Sequence, residues 1–471
     1  MNKKCQVFTP ENYVRELLDS VGYRKNLYGR KILENSCGDG NILVAIVKRY
    51  IKDCLQNKFS KEKIVEGLQN DIYGIEIDPE QHKKCIHNLN MILKKYEIDS
   101  VAWKIYNADY LRWSDVTKFE FIVGNPPYIT YSELNNREQT YVKTTFQTCQ
   151  KGKFDYCYAF IEKSIMSLES NGKMAYLIPS SIFKTVFGKN LRNFMKPYIT
   201  EIKDYTEEKV FDEALVKSSI MVLDKQRKRK ALLYRDMATK KRMGIPVNNL
   251  GDKWIFTNEA TNGEHRFGDY FKVSHVVATL LNDAYVIKKE NYQETNQGYL
   301  CNGHIIEREV VKETATPRAL RYNKVEKIIF PYRYENGHLI RFKDKEFEQT
   351  YPGAAAYLRD FKTKLDNRKS DIGAQWYEYG RTQALSGLDC EKILISTIIT
   401  DEVPTYRLTR EYIPYAGMYI VPRTDNDNYV LSDAENILKS ERFRQYVNAV
   451  GIHISGSSLR ITSKDIEEYR F

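Results

Sequence analysis

The stretch FEFIVGNPPYITY, residues 119–131, begins like a buried β-strand and then stops abruptly. Four of its first five residues are apolar, and β-branched Ile122 and Val123 favour an extended backbone. Proline fixes φ and has no N–H to donate to a neighbouring strand, so the proline pair that follows Gly124 and an asparagine ends the strand. The sequence therefore predicts a rigid turn, Asn125-Pro126-Pro127-Tyr128, at the tip of a strand.

Strand and helix patterns alternate on both sides of this turn. Helices are predicted at residues 11–22, 42–52, 61–69, 79–96 and 155–169, and strands at 31–36, 71–77, 101–106, 119–123 and 173–178. This alternation indicates an α/β fold with a doubly wound, mostly parallel, Rossmann-like sheet and helices on both faces. Ligands of such sheets bind beyond the carboxyl ends of the strands, which is where the unusual residues of this sequence fall.

The stretch ILENSCGDGN, residues 32–41, predicts a strand, a glycine turn and the start of a helix. Glycines at such a turn let the backbone approach a ligand closely. The turn lacks the GxGxxG pattern of dinucleotide folds and the GK[ST] ending of a P-loop. The turn therefore does not match a known phosphate-binding loop.

Acidic residues lie at the ends of three successive strands, at Glu34, Glu76 and Asp109. A carboxylate after the second strand can accept hydrogen bonds from a ribose diol. Asp109 can accept from an adenine amine, and Glu34 can face an ammonium group. Each residue alone fits a helix cap or a surface charge as well, but the ordered set fits S-adenosylmethionine, which has an adenine, a ribose and a tail without phosphate.

The turn at residues 125–128 suits a planar, weakly nucleophilic amine. The side-chain carbonyl of Asn125 and the backbone carbonyl of Pro126 can accept both amine hydrogens. Because the prolines hold this backbone rigid, the two acceptors are in place before the amine arrives. Tyr128 offers a flat face on which a base can stack.

These motifs and their order resemble the gamma class of N6-adenine DNA methyltransferases of type II restriction–modification systems. The resemblance rests on QVFTP at 6–10, ILENSCGDG at 32–40, GIEIDP at 74–79, NADYL at 107–111, IVGNPPY at 122–128, FDYCYAFIEKSI at 154–165, LIPSSIFKTVFGKNLR at 177–192 and VFDEALVKSSIMVL at 210–223. It implies methyl transfer from S-adenosylmethionine to an adenine that is flipped out of double-stranded DNA.

The resemblance also assigns roles to residues. The expected cofactor-binding residues are Phe8, Thr9, Pro10, Glu34, Ser36, Cys37, Gly38, Glu76, Ile77, Asp109, Tyr110 and Asn125. The expected catalytic residues are Asn125, Pro126, Pro127, Tyr128 and Phe187. Phe187 is expected to stack on the flipped base, with Phe183 as the alternative.

The sequence predicts a catalytic domain at 1–224, a basic linker at 225–250 and a C-terminal α+β target-recognition domain at 251–471. The basic run KQRKRK fits an edge strand with basic flanks equally well. KIIFPYRY, WYEYGR, PYAGMYIVP and SGSSLRITSKDIEEYRF look like landmarks of that recognition domain. In it, Arg381, Arg410 and Arg460 are candidates for bonds to guanine or phosphate, or for surface salt bridges.

The chain has a net charge of +11, which fits a nucleic-acid partner or a solubilising surface. Its eight cysteines form no CxxC pair, so we predict free thiols and no metal site. No apolar run is long enough for a membrane span, and no apolar signal core follows Met1, so we expect a cytoplasmic protein. The first motif lies within ten residues of Met1, so we expect no nuclease upstream of it. A monomer that methylates without cleaving, beside a separate restriction endonuclease, is expected.

Two other classes of function are compatible with the motifs. NPPY also occurs in methyltransferases that act on guanine in ribosomal RNA or on a glutamine of release factors. A DNA-binding module with an inactive site is the other alternative, although intact Asn125, Pro126 and Tyr128 argue against it.

Overall fold

The computed structural model describes residues 9–206, 217–226, 230–256, 263–343, 345–424, 429–455 and 457–471. The chain divides into two compact units, Met1–Phe256 and Thr257–Phe471. Within the described ranges, none of the helices combines the length and the apolarity that crossing a bilayer requires.

A single mixed sheet organises the first unit. Its strands are β1 Ile32–Glu34, β2 Ile72–Glu76, β3 Lys104–Asn107, β4 Phe119–Gly124, β5 Leu168–Pro179, β6 Ile199–Asp204, β7 Ser218–Asp224, β8 Ala231–Asp236 and β9 Arg242–Pro246, in the order β3-β2-β1-β4-β5-β7-β6-β8-β9. The first five strands in this order are parallel, whereas β7 runs antiparallel to both of its neighbours. This confirms the predicted doubly wound, mostly parallel sheet.

Capping residues in the sequence mark the ends of several helices of this unit. They are α1 Glu11–Val21, α2 Asn41–Gln56, α3 Lys61–Asp71, α4 Pro79–Lys95, α5 Asn136–Thr145, α6 Cys157–Ser167 and α7 Lys189–Met195, with 3₁₀ turns at Tyr131–Glu133, Gln147–Cys149, Ser180–Phe183, Val186–Gly188 and Val247–Asn249. α1 ends at Gly22, which adopts a left-handed φ of 79°. α4 starts with Pro79 in its first turn, and the Asp78 side chain accepts the N–H groups of Glu80 and Gln81.

Hydrophobic cores cover both faces of the sheet, because side chains alternate along each strand. On β4, Phe121 and Val123 belong to one buried cluster, which contains residues of α1, α2 and α4. Ile122 belongs to the other cluster, which contains residues of α6. Strands buried on both faces read as apolar runs, which explains why residues 119–123 were recognisable from the sequence.

The basic linker predicted at 225–250 is wrong, since this segment contains β8 and β9. β8 pairs in parallel with β6, and β9 pairs antiparallel with β8. Leu232 and Ile245 are buried, and Lys240, Lys241 and Arg242 lie exposed at the turn between the two strands. The alternative prediction, an edge strand with basic flanks, agrees with this structure.

The second unit is an α+β assembly of small sheets. Its strands are β10 Phe271–His275, β11 Val286–Lys288, β12 Gln293–Thr295, β13 Gly298–Cys301, β14 His304–Ile306, β15 Val311–Thr314, β16 Glu326–Ile329, β17 Tyr332–Glu335, β18 His338–Arg341, β19 Lys392–Ile395, β20 Ile398–Ile399, β21 Thr405–Leu408, β22 Met418–Pro422, β23 Ile452–Ser455 and β24 Ser458–Arg460. Its helices are α8 Phe267–Tyr270, α9 Asn282–Tyr285, α10 Pro317–Arg321, α11 Glu346–Thr350, α12 Pro352–Arg359, α13 Lys362–Asp366, α14 Leu431–Lys439, α15 Glu441–Val450 and α16 Ser463–Glu467, with 3₁₀ turns at Lys289–Asn291 and Leu385–Gly387. All pairings between its described strands are antiparallel, and the largest sheet has the order β10-β22-β19-β21.

Candidate active site

Four neighbouring parallel strands bring the predicted residues to one edge of the sheet. Glu34 is the last residue of β1 and pairs with Gly74 of β2 and Val123 of β4. Glu76 ends β2 and pairs with Asn107, the last residue of β3. The turns that follow these strands therefore meet beyond their carboxyl ends, where α/β sheets bind ligands.

The glycine turn after β1 is held against the end of β2. The backbone N–H of Cys37 donates to the carbonyl of Ile75, and that of Gly38 donates to Glu76 Oε2 at 2.8 Å. Gly38 has a left-handed φ of 55°, and a Cβ added there would meet no atom within 4 Å. The backbone at Gly38 thus borders open space that a ligand can approach.

Glu34 lies buried at the start of this turn. Burial raises the pKa of its carboxyl well above the ordinary value, and the nearby Cys85 thiol raises it further. Among the described residues, no donor reaches its Oε2 atom. A cation next to this carboxylate would offset the cost of burying its charge, as the ammonium group of S-adenosylmethionine can.

Two further carboxylates are oriented by backbone N–H groups and retain acceptor capacity. Glu76 accepts from Gly38 and Asp78, each at 2.8 Å. Asp109 accepts from the N–H of Leu111 at 2.9 Å and forms an ion pair with Arg112. Each carboxylate oxygen has more than one acceptor site, so ribose hydroxyls and an adenine amine can still bind.

The residues present fit S-adenosylmethionine. Ile77 follows Glu76 and is 43% exposed, which gives an adenine ring an apolar surface. Together with the open space at Gly38 and the unpartnered oxygen of Glu34, this set offers a group for each part of that cofactor.

Two polar groups of Asn125 are anchored by neighbouring side chains. Its Nδ2 donates to Thr9 Oγ1 at 3.3 Å, and its backbone carbonyl accepts from Ser36 Oγ at 3.2 Å. Its side-chain Oδ1 is buried, and no donor in the described part of the chain reaches it. A buried acceptor without a donor costs free energy, so this oxygen is set up for a donor that a ligand brings.

The other residues of the turn, Pro126, Pro127 and Tyr128, are also held in place. Pro126 is buried and Pro127 is half-buried. The hydroxyl of Tyr128 donates to the carbonyl of Leu177 on β5 at 2.9 Å, and burial raises the pKa of this phenol. The Tyr128 side chain is therefore held by its hydroxyl at one end and by the backbone of the turn at the other.

The structure separates the two aromatic candidates of the following loop. Phe183 is 1% exposed and stacks on Trp254, with ring centroids 5.8 Å apart. Phe187, in contrast, is 44% exposed. Of the two rings, Phe187 is the one that a base can reach.

The remaining predicted cofactor residues differ in placement. Phe8 lies outside the described residues. Thr9 is buried and accepts a hydrogen bond from the Asn41 side chain, while Pro10 forms the N-cap of α1. Tyr110 is buried, and its hydroxyl pairs with Ser164 Oγ at 3.1 Å, so its side chain lies in the core.

Two residues that the sequence reasoning missed support the site. Asn35 is buried next to Glu34 and donates to Ser164 and Tyr176. Lys163 donates to the carbonyls of Tyr110 at 2.6 Å, Leu111 at 3.1 Å and Trp113 at 2.6 Å, and burial lowers its pKa to about 8. For Lys163, the signal in the sequence was the charged pair Glu162-Lys163 within the mostly apolar stretch of α6.

The predicted DNA-binding arginines lie in the second unit and have different surroundings. Arg381 donates to the Lys369 carbonyl at 2.6 Å and pairs with Asp371 at 3.2 Å. Arg410 forms two hydrogen bonds to Asp389, at 3.2 and 2.7 Å. Arg460 is exposed on β24, and its side chain has no ion pair or hydrogen bond to the described residues. The salt-bridge alternative therefore holds for the first two.

Comparisons with known proteins find similarity to methylases of restriction–modification systems. Residues 45–211 match the model of the Eco57I restriction-modification methylase family. The chain is 24% identical, over 94% of its length, to the type II restriction enzyme and methyltransferase RM.Eco57I of Escherichia coli, and covers 54% of that protein. It is 30% identical, over 40% of its length, to the type II methyltransferase M.BstVI of Geobacillus stearothermophilus, and covers 36% of it.

The chain thus spans about half, or less, of these curated relatives. Its fold is similar to that of the Type IIL restriction-modification enzyme MmeI, solved in complex with DNA, with a TM-score of 0.60 at 14% identity, over 96% of this chain and 64% of that one. Such a likeness shows the fold. The predicted resemblance to methylases of restriction–modification systems, the fold class and the S-adenosylmethionine cofactor are confirmed.

Proposed function

We propose that the chain is a DNA methyltransferase that transfers a methyl group from S-adenosylmethionine to the N6 amine of an adenine flipped out of double-stranded DNA. The observation that carries this proposal is the buried Oδ1 of Asn125, which has no donor among the described residues. It lies in the turn after β4, next to the glycine turn that contains Ser36. An amine hydrogen is the donor that this acceptor lacks.

The turn acts on the target amine through preorganised acceptors. Asn125 Oδ1 and the Pro126 carbonyl each accept one amine hydrogen, which directs the nitrogen lone pair away from the purine ring. Because Thr9 anchors the Asn125 amide and Ser36 anchors its backbone, little reorganisation is needed when the base arrives. When bound, S-adenosylmethionine supplies an electrophilic sulfonium methyl.

The neutral charge of Asn125 also matters. A carboxylate at this position would attract the cationic cofactor and compete with the weak nucleophile. No strong general base is required, because the amine proton can leave after the methyl group is transferred. This fits a site in which Asn125 accepts hydrogen bonds and does not titrate.

The flipped base is held by aromatic rings. We assign Tyr128 to one face and Phe187 to stacking as well, because Phe187 is 44% exposed while Phe183 is buried. Stacking on such rings is worth about 1–3 kcal/mol per base, which offsets part of the cost of unstacking.

The second unit, from Thr257 to Phe471, is the proposed target-recognition domain. Its partner is double-stranded DNA. Of the three candidate arginines, Arg460 is the one with no ion pair to the described residues, so its guanidinium is available for phosphate or guanine. We further propose that the chain acts as a monomer that methylates without cleaving, beside a separate cognate endonuclease. Magnesium-dependent cutting of DNA by the purified chain would overturn this last part.

The test of the proposal has two stages. Sequencing the methylated genome of a host that expresses the chain gives the recognition sequence. The purified chain is then incubated with S-adenosylmethionine labelled in its methyl group and with a duplex carrying that sequence, RNA or protein. We expect label in DNA only, recovered as N6-methyladenine by mass spectrometry. Label in RNA guanine or protein glutamine identifies one of the alternative methyltransferases, and no label identifies an inactive module.

A further inference from the structure

The Phe187 ring lies directly on the backbone of Gly152. A Cβ added at Gly152 would stand 2.0 Å from Phe187 Cδ1 and 2.5 Å from Cε1, far inside van der Waals contact. Gly152 also has a left-handed φ of +75°, which glycine adopts without strain. The side of the ring that carries Cδ1 and Cε1 thus lies against the glycine, while 44% of the side chain remains exposed.

The segment that carries Gly152 is fastened to the turn that contains Asn125. Two residues along, buried Phe154 packs edge-on against Tyr131, with centroids 5.2 Å apart. Next, Asp155 forms an antiparallel bridge with Thr130, and the N–H of Tyr156 donates to the Ile129 carbonyl at 2.9 Å. These contacts fix the position of Gly152 relative to residues 129–131, which directly follow Tyr128.

The same segment is also joined to the loop that carries Phe187. The Tyr158 hydroxyl pairs with Thr185 Oγ1 at 3.1 Å. The base of this loop is fixed by buried Arg192, which donates to the Ile182 carbonyl at 2.6 Å. Because these hydrogen bonds hold the loop, and because the ring already contacts Gly152, the Phe187 ring has little freedom to move closer to the Gly152 backbone.

We infer that Gly152 is a positioning residue that holds the Phe187 ring in the position required to stack on the flipped base. The inference rests on the proposed function and deepens it. Glycine is needed because any side chain would occupy the volume of the ring and lift it into the space meant for the base. A displacement of about 1 Å in such a site can lower the rate about 100-fold.

The test compares two glycines with the same backbone conformation. Gly29 has a φ of +80°, but a Cβ added there meets no atom within 4 Å, so Gly29→Ala introduces the backbone strain without the collision. For both variants, flipping is followed on a duplex with 2-aminopurine at the target position, and kcat is measured on the same duplex with adenine at that position. We expect Gly152→Ala to lose most of the fluorescence increase on flipping and about 10- to 100-fold in kcat, and Gly29→Ala to retain both.

A double-mutant cycle shows whether Gly152 acts through Phe187. In the Phe187→Ala background, Gly152→Ala should cause no further loss of fluorescence or kcat, because the ring that it displaces is gone. Urea unfolding of all four proteins controls for stability, and the Phe187→Ala background should also relieve any destabilisation that the collision causes. The double variant thus remains informative if Gly152→Ala alone folds poorly.

The outcomes separate this inference from the proposed function. If Phe187→Ala impairs flipping but Gly152→Ala behaves like Gly29→Ala, only the positioning role is wrong. The same holds if the losses from Gly152→Ala and Phe187→Ala add. If Phe187→Ala leaves flipping and kcat unchanged, the stacking role of Phe187 is wrong, and the role of Gly152 is wrong with it.

Discussion

The two compact units bring their candidate residues together by different means. In the first unit, Glu34 and Glu76 end parallel strands, Asn125 directly follows another, and all three lie at one edge of a sheet. In the second unit, the pairings between described strands are antiparallel, and the candidate arginines have unrelated surroundings. Parallel strands all end at the same edge, whereas antiparallel neighbours end at opposite edges.

This difference explains why sequence order was informative in one unit only. Once a parallel sheet is predicted, a polar residue at the end of any strand can be assigned to the ligand edge. For an antiparallel sheet, the same assignment requires the strand pairing, which the sequence does not reveal. The contrast also predicts that substitutions in the first unit have larger effects than those at the arginines.

The largest effect is expected for Asn125→Ala, which removes the unpartnered acceptor. Loss of a single preorganised hydrogen-bonding group in an active site costs about 100- to 1,000-fold in kcat. Affinity for S-adenosylmethionine, measured by calorimetry, should stay unchanged. A loss of cofactor affinity as large as the loss of rate would show that Asn125 binds the cofactor and does not act on the amine.

Thr9→Val serves as the matched control for this prediction. It keeps Asn125 Oδ1 but removes the hydroxyl that accepts from Asn125 Nδ2 at 3.3 Å. The amide then loses one anchor, so we expect a smaller decrease in kcat, about 10-fold, from the loss of about one hydrogen bond. A decrease equal to that of Asn125→Ala would mean that the anchor matters as much as the acceptor.

The next largest effect tests the support of the loop after β3. Lys163→Met leaves the carbonyls of Tyr110, Leu111 and Trp113 without their shared donor. Each of these part-buried hydrogen bonds contributes about 0.5–1.5 kcal/mol, so losing all three should lower the free energy of unfolding by about 2–4 kcal/mol. Urea unfolding measures it, with Lys83→Met, whose side chain is 73% exposed, as the control. Equal values for the two variants would contradict the supporting role of Lys163.

A pH-dependent effect is expected at Asp155, in the segment joined to Thr130. Burial, with Glu133 nearby, raises the pKa of this carboxyl from 3.8 to about 6, although the Cys157 N–H donates to it at 3.1 Å. The folded state therefore binds the proton more tightly, and stability falls as the pH rises through this window. Asp155→Asn should remove a decline of up to about 3 kcal/mol. Urea unfolding between pH 4 and pH 8 checks this, and identical pH profiles of the two proteins would refute it.

The smallest effect is expected in the second unit. Arg460→Met should weaken DNA binding about 3- to 10-fold and lower the salt dependence by about one phosphate contact. Arg410→Met should change both less, because its guanidinium already pairs with Asp389. Fluorescence anisotropy with a labelled duplex at several salt concentrations compares the two. The reverse order of effects would show that Asp389 releases Arg410 when DNA binds.

Local chemistry was enough to predict the parallel strands of the first unit and the polar residues at their carboxyl ends. Apolar runs ended by glycine or proline located the strand tips, and their order along the chain identified the glycine turn, the carboxylates and the turn at Asn125. These features depend on neighbours in sequence, because backbone conformation and strand burial are encoded locally.

Long-range packing settled the points that the sequence left open. Phe183 is buried because Trp254 packs on it, which leaves Phe187 as the accessible ring. The basic segment after residue 225 is sheet and not linker because β6 offers a free edge to β8. Each outcome depends on a partner distant in sequence, and a side chain's exposure is set by the atoms that surround it in three dimensions.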